Sequence, residues 1–232
     1  MGTSRVAARL FAHDRAFGAA RVGGADEAGR GCLAGPLVVA AVCLDVHRIG
    51  RRARLALSDL DDSKRLTPAV RERLAGVILR AAEQVVVQVA SPGTIDRDGL
   101  HRTNLRLLAK ALAALDPCPD VCLVDGFTLG PAAPEHRAVV GGDRRSACIA
   151  AASVIAKTTR DRLMAGPIAE AYPAFGFDRH VGYATPDHHA ALAAAGLSPL
   201  HRRSFQSAGY SEVDRAAAAA LTASRGTGSG SG

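Results

Sequence analysis

"VGGADEAGRG", residues 22–31, sets two acids, Asp26 and Glu27, behind an apolar approach and between glycines, with Arg30 close after them. "RVGGADE" (21–27) reads as a strand and "PLVVAAVCLD" (36–45) as a second, joined by the turn "AGRGCLAG" (28–35). Neighbouring side chains of a strand alternate between its faces, so the two acids cannot share a face unless the strand ends there. Further along, "VCLVDGF" (121–127) brings Asp125 to the end of a buried strand, and "HRAVVGG" (136–142) delivers Asp143 just past another. Acids arriving together at strand ends are the pattern expected of a site at the edge of a sheet.

The elements between those strands follow from caps and periodicity. Thr67 and Pro68 give an N-cap and a proline at the first helical position, and Val70, Leu74, Val77 and Ala81 then mark one helical face. "QVVVQVA" (84–90) is a β-branched strand, and a second helix is expected from about Asp98 to Leu115. "SACIAAASVIAKTTRDRLM" (146–164) has almost no polar face in its first half and predicts a helix buried against the sheet. Thr185 and Pro186 repeat the capping signal, and Gly196 closes that helix. "SEVDRAAAAALTASR" (211–225) suggests a terminal helix and "GTGSGSG" (226–232) a flexible tail. Strands first, then mixed strand and helix units, predict a three-layer α/β domain with a helical segment after about residue 166.

Clustered carboxylates repel one another unless something positive sits among them, and a divalent cation is the simplest remedy. Mg²⁺ and Mn²⁺ prefer oxygen ligands. Two such ions about 4 Å apart can activate a water and stabilise the leaving oxygen of a phosphodiester. Lys and Arg outnumber Asp and Glu by 29 to 22, a formal charge of +7, which suits a polyanionic partner. Asp26 and Asp125 could instead be turn-forming acids before glycine. Asp161, in "TTRDR" (158–162), competes with Asp143 for the fourth place, but it lies roughly 20 Å along the helix from the end where Asp143 sits. Its arginine neighbours suit an ion pair.

The five cysteines, Cys32, Cys43, Cys118, Cys122 and Cys148, are odd in number and point to free thiols in a reducing compartment. Cys118 and Cys122 have a spacing seen in zinc sites, without a second Cys or His pair nearby. No apolar run approaches a membrane span and the first residues lack the centre of a secretory signal, so a soluble cytoplasmic protein with no membrane partner is expected.

"DEAGRGCLAGP" (26–36), "DSKRL" (62–66), "VDGF" (124–127), "GGDRRSACIAAASVIAKTTRDR" (141–162) and "GYATPDHH" (182–189) leading to "HRRSF" (201–205) resemble the ordered motif series of bacterial ribonuclease HII, the type 2 ribonuclease H family. The resemblance covers nearly the whole chain. It implies a ribonuclease H-like three-layer fold with a central mixed sheet, divided as an N-terminal extension (1–20), a catalytic domain (21–165), a C-terminal helical segment completing the substrate site (166–224) and a tail (225–232). It implies Mn²⁺- or Mg²⁺-dependent cleavage of the RNA strand of RNA/DNA hybrids, and on the 5′ side of single ribonucleotides in duplex DNA, leaving 5′-phosphate and 3′-hydroxyl ends. A monomer is expected.

By motif position Asp26, Glu27, Asp125 and Asp143 match the family's metal-binding and catalytic acids. Gly29, Arg30 and Gly31 match its sensor of the ribose 2′-hydroxyl, the group that distinguishes RNA from DNA. Bare glycines there let main-chain amides approach a sugar or phosphate closely. Tyr183 matches a tyrosine that packs on the sugar of the next deoxynucleotide. Lys64 is a substrate-binding candidate, and Lys157 and Arg160 are candidates for phosphate contacts or for balancing the acids. His180, His188 and His189 read as solvated or capping residues, and oxidation of Cys32 would impair substrate access. Two family lysines are replaced, by Gly141 and Val181, for which Arg144, Arg145 and Arg179 would compensate. A junction resolvase or transposase core and a non-catalytic nucleic-acid-binding module are the rivals. The first has no use for a 2′-hydroxyl sensor, and the second none for four converging acids.

Overall fold

The computed structural model describes residues 5–60, 63, 66–205 and 210. Its elements are α1 (Arg5–Arg15), β1 (Arg21–Ala28), β2 (Leu37–Asp45), α2 (Arg51–Ala56), α3 (Pro68–Ala81), β3 (Gln84–Ala90), α4 (Pro92–Asp98), α5 (Leu100–Ala113), β4 (Val121–Asp125) and β5 (Arg137–Val139). A 3₁₀ turn (Gly142–Arg144) then leads into α6 (Ala147–Leu163), a π-helical turn (Met164–Ile168), α7 (Ala169–Ala171), a second 3₁₀ turn (Pro173–Phe175), α8 (Phe177–His180) and α9 (Pro186–Ala195).

The strands form one mixed sheet in the order β3-β2-β1-β4-β5. β1, β2 and β3 make an antiparallel meander, while β4 and β5 run parallel to β1. β2 is an interior strand, paired on both sides and covered on both faces, which is why its sequence is a continuous apolar run with no alternation. On one face α6 lies across β1 and β2, with α1 and α3 behind it; on the other lie α4 and α5. The approach of α6 is close enough that a Cβ on Gly24 would stand 2.3 Å from the backbone of Cys148 and Ile149. That contact requires glycine in β1, and the alanine-rich face of α6 permits it.

The expected caps form. Thr67 Oγ1 accepts from the Val70 amide and Thr185 Oγ1 from His188, and Ser146 Oγ, a cap not read from the sequence, accepts from Ile149. The helix expected from about Asp98 to Leu115 is α5, and a helix not expected from the sequence, α4, stands before it; Gly99, at φ 82°, separates the two. α1 packs into the main core through Leu10 and Phe11. Asp14, fully buried at its end, accepts from Ser146 Oγ at 3.1 Å and the Cys148 amide at 3.0 Å. A carboxylate thus sits at the N-terminus of α6, where the helix dipole favours negative charge. A third cluster, built from Leu33, Met164, Phe175, Phe177, Leu192 and Tyr210, joins the C-terminal part to the β1–β2 turn. The expected terminal helix and tail, like Lys64, lie outside the described residues.

Candidate active site

Asp26 and Glu27 lie inside β1 and not at its end, since the ladder to β2 continues through Ala28↔Val38. Only the parallel ladder to β4 stops short, at Ala25↔Val124, which puts Asp125 one step beyond that pair, beside Asp26. The acids of β1 accordingly look to opposite faces. Asp26 shares the face of Gly24 and is turned to α6, where Ser153 helps hold its charge; Glu27 shares the face of Ala25 and is turned to α5, where the Asn104 amide favours its ionised form without closing a hydrogen bond to it. Both interact electrostatically with Asp125. Asp125 Oδ1 accepts the Gly142 amide at 2.6 Å, which ties the backbone just before Asp143 to this strand end. Asp143 is itself buried.

Burial raises the Asp26 pKa well above the ordinary carboxylate value, and the charges of Glu27 and Asp125 add to it. Burial raises Glu27 as well, against the opposing pull of Arg30, whose Nη1 stands 3.5 Å from Glu27 Oε1. Glu27 Oε2 is buried without a hydrogen-bond partner. A buried carboxylate oxygen that lacks a partner, among acids that repel one another, fits a hard divalent cation. Among the described residues no three His, Cys, Asp or Glu side chains close a cage of their own. An ion that retains several waters suits such an open set better than a structural zinc. All five cysteines are unpaired.

The glycine loop has two different glycines. A Cβ on Gly29 would stand 2.2 Å from Arg160 Nε and 2.8 Å from the Pro36 carbonyl, so this glycine, at φ 94°, answers an internal need. Gly31 is exposed, with nothing within 4 Å of where its Cβ would be. Arg30 reaches over the Phe127 ring at 4.8 Å while approaching Glu27.

Arg160 is not available to phosphate. It is fully buried and donates to the carbonyls of Pro36 (3.0 Å), Val181 (2.9 Å) and Ala34 (2.9 Å). Lys157 pairs with Asp161 at 2.6 Å, and Asp161 also accepts from Arg71 at 3.1 Å. Asp161 therefore has the ion-pair role its arginine neighbours suggested. Tyr183 is exposed above these cations, its ring 5.3 Å from Lys157 Nζ.

The histidines differ from expectation. His180 and His188 are buried and stacked at 4.3 Å, with His201 beside them. The Ser198 amide donates to His201 Nδ1, which leaves His201 Nε2 to donate to His188 Nε2 and His188 Nδ1 to donate to the Tyr183 carbonyl. In this pairing both the His188 and the His201 rings are neutral. Cys32 is also fully buried, under Tyr183, and is not open to oxidation from solvent. Gly141 stands at φ 61° and Val181 at φ 44°, a backbone region that any side chain enters at a cost. Arg144, Arg145 and Arg179 are exposed. The participation of Asn104, Ser153 and Arg202 was not read from the sequence.

A mixed sheet covered on both faces, with the acids of the adjacent interior strands β1 and β4 brought side by side, defines a ribonuclease H-like nuclease. Ribonuclease H2 of Pyrococcus horikoshii superposes with a TM-score of 0.71 at 27% identity, over 85% of this chain and 99% of that one. Bst ribonuclease HIII, solved in complex with Mn²⁺, shares the fold at a TM-score of 0.61 and 21% identity, over 93% of this chain and 73% of that one. Ribonuclease HII of Geobacillus thermodenitrificans is 47% identical over 190 residues, 82% of this chain and 70% of that one. The pattern of the ribonuclease HII family matches residues 23–208, and the chain belongs to this family of endoribonucleases.

Proposed function

We propose that the protein is a divalent-cation-dependent endonuclease that cuts the RNA strand of RNA/DNA hybrids and the 5′ side of single ribonucleotides in duplex DNA, leaving 5′-phosphate and 3′-hydroxyl ends. The observation that carries this is the convergence of Asp26 and Glu27, from opposite faces of β1, on Asp125, with one buried oxygen of Glu27 lacking a partner. Asp26, Glu27, Asp125 and Asp143 would hold Mg²⁺ or Mn²⁺. When bound, the cation supplies an activated water and charge stabilisation at the leaving oxygen. The chain's own work is orientation. Asn104 and Ser153 favour the ionised forms of Glu27 and Asp26, and the Gly142 amide fixes the rotamer of Asp125.

Gly29, Arg30 and Gly31 form the reader of the 2′-hydroxyl, Lys64 contacts the backbone, and Tyr183 gives the next deoxyribose a surface to pack on. Residues 21–165 supply the acids, and residues 166–224 bring Tyr183 to them. No helix among the described residues is long and apolar enough to cross a membrane. We place the protein in the cytoplasm as a monomer. Incubation with a labelled RNA/DNA hybrid tests the reading: cleavage with Mg²⁺ or Mn²⁺ that stops in chelator, with all-DNA and all-RNA duplexes left intact, is expected. Cleavage that persists in chelator, or equal cutting of all-DNA duplex, would refute it.

A further inference from the structure

Arg202 is fully buried, yet among the described residues its guanidinium makes no salt bridge; its donors go to two backbone carbonyls of the β1–β2 turn, with Asp96 acting only at a distance. Nε and Nη2 donate to the Gly35 carbonyl at 3.1 and 2.9 Å, and Nη1 donates to the Arg30 carbonyl at 3.2 Å. Its own backbone is fixed to the same turn, because the Arg202 amide donates to Leu33 O and the Gly35 amide to Leu200 O. The Arg30–Gly31 peptide is trans; among the described residues the cis bond is Asp116–Pro117. In a trans peptide the C=O and the following N–H point in opposite directions. A carbonyl drawn inward by a buried guanidinium therefore turns the Gly31 N–H outward. Gly31 is exposed, its surroundings are empty to 4 Å, and its amide has no partner among the described residues.

We propose that Arg202 is a positioning residue for ribose recognition: by holding the Arg30 carbonyl it aims the Gly31 N–H out of the protein as a fixed donor to the 2′-oxygen. This rests on the ribonucleotide-reading role proposed for the glycine loop. Preorganisation is the gain, since a donor already aimed loses no freedom on binding. Arg160 differs in kind: it holds Ala34, Pro36 and Val181 and leaves the Arg30 carbonyl alone.

Duplex DNA with one ribonucleotide, and the same duplex with a deoxynucleotide there, would be bound to Asp26→Asn protein, with Arg202 intact or replaced as Arg202→Lys. Lysine keeps the charge but cannot serve both carbonyls with a planar fork. The expected result is a preference for the ribonucleotide in the parent that falls by about threefold to tenfold in Arg202→Lys, the scale of one hydrogen bond, while affinity for the all-DNA duplex holds. An equal loss on both duplexes, or an unchanged preference, overturns the role of Arg202. A parent without preference overturns the ribonucleotide-reading role, and this proposal with it. Should Arg202→Lys fail to fold, hydrogen exchange of the Gly31 amide in the parent decides: protection by the ribonucleotide duplex alone supports the aimed donor, and equal protection by both duplexes overturns it.

Discussion

Asp26 shows what a cation site costs the empty protein. Its folded pKa is raised, by burial first and then by Glu27 and Asp125, above an unfolded value near 3.8. The folded state thus keeps a proton that the unfolded chain has released, and metal-free stability falls as pH rises from about 3.8 through the folded value. Asp26→Asn removes that penalty. In chelator at neutral pH the variant should melt about 2–4 °C higher than the parent, the shift that about 1 kcal/mol gives a chain of this size, while turnover falls by several orders of magnitude. A lower melting temperature in chelator would contradict the burial argument. Asp143→Asn should be as inactive, whereas Asp161→Asn, which only releases Arg71 and Lys157, should cost about 1–2 kcal/mol of stability and leave most turnover in place. Steady-state rates on purified, folded variants separate the two. The acids were legible because a carboxylate in an apolar strand is conspicuous. Asn104 and Ser153 were not, since a neutral polar residue within a helix carries no signal until the helix has a neighbour. Arg202 was hidden by composition, because one more arginine in an arginine-rich chain reads as surface, and Arg160, a candidate for phosphate, gave no sign of its buried hold on carbonyls.

Elements announced by caps were readable in advance, and α3 and α9 begin where Thr67 and Thr185 stand, while α6 was legible from its apolar first half. α4 carries the same device in Ser91 and Pro92, but at seven residues it has too little periodicity to be noticed. α1 is short, and its contribution, burying Leu10 and Phe11 and capping α6 through Asp14, depends on a partner 132 residues away. The relay behind Tyr183 was hidden for a similar reason, since three histidines scattered over residues 180–201 become one unit only after folding. His188 and His201 are depressed by burial to about 4 from 6.5. The unfolded chain therefore binds more protons between those values, so the stability these residues contribute is intact above about 6.5 and is lost as pH falls toward 4. Protonating His188 at Nε2 removes the acceptor of the His188–His201 bond, and protonating His201 at Nδ1 removes the acceptor of the Ser198 amide. Amide protection around Tyr183 and α9 should fall between pH 7 and pH 4.5 while that of β1 and β2 persists. Equal protection of this segment at both pH values would contradict the neutral relay.

At the scale of the whole molecule, a formal charge of +7 and exposed Arg144, Arg145 and Arg179 set a protein suited to a polyanion around an acidic centre. For about four to six phosphate contacts, the logarithm of the affinity of Asp26→Asn protein for a hybrid should fall against the logarithm of salt with a slope of about −3 to −5. A flat response, measured by titration across salt concentrations, would remove electrostatics from binding. Charge supplies attachment, and the glycine loop with Tyr183 supplies the choice of bond. That division is most exposed when the substrate has one ribonucleotide in an otherwise all-DNA duplex. Mapping the product ends should place the cut at the phosphodiester on its 5′ side, with a 3′-hydroxyl on the upstream DNA and a 5′-phosphate on the ribonucleotide. Cleavage on its 3′ side, or only within runs of several ribonucleotides, would contradict the account.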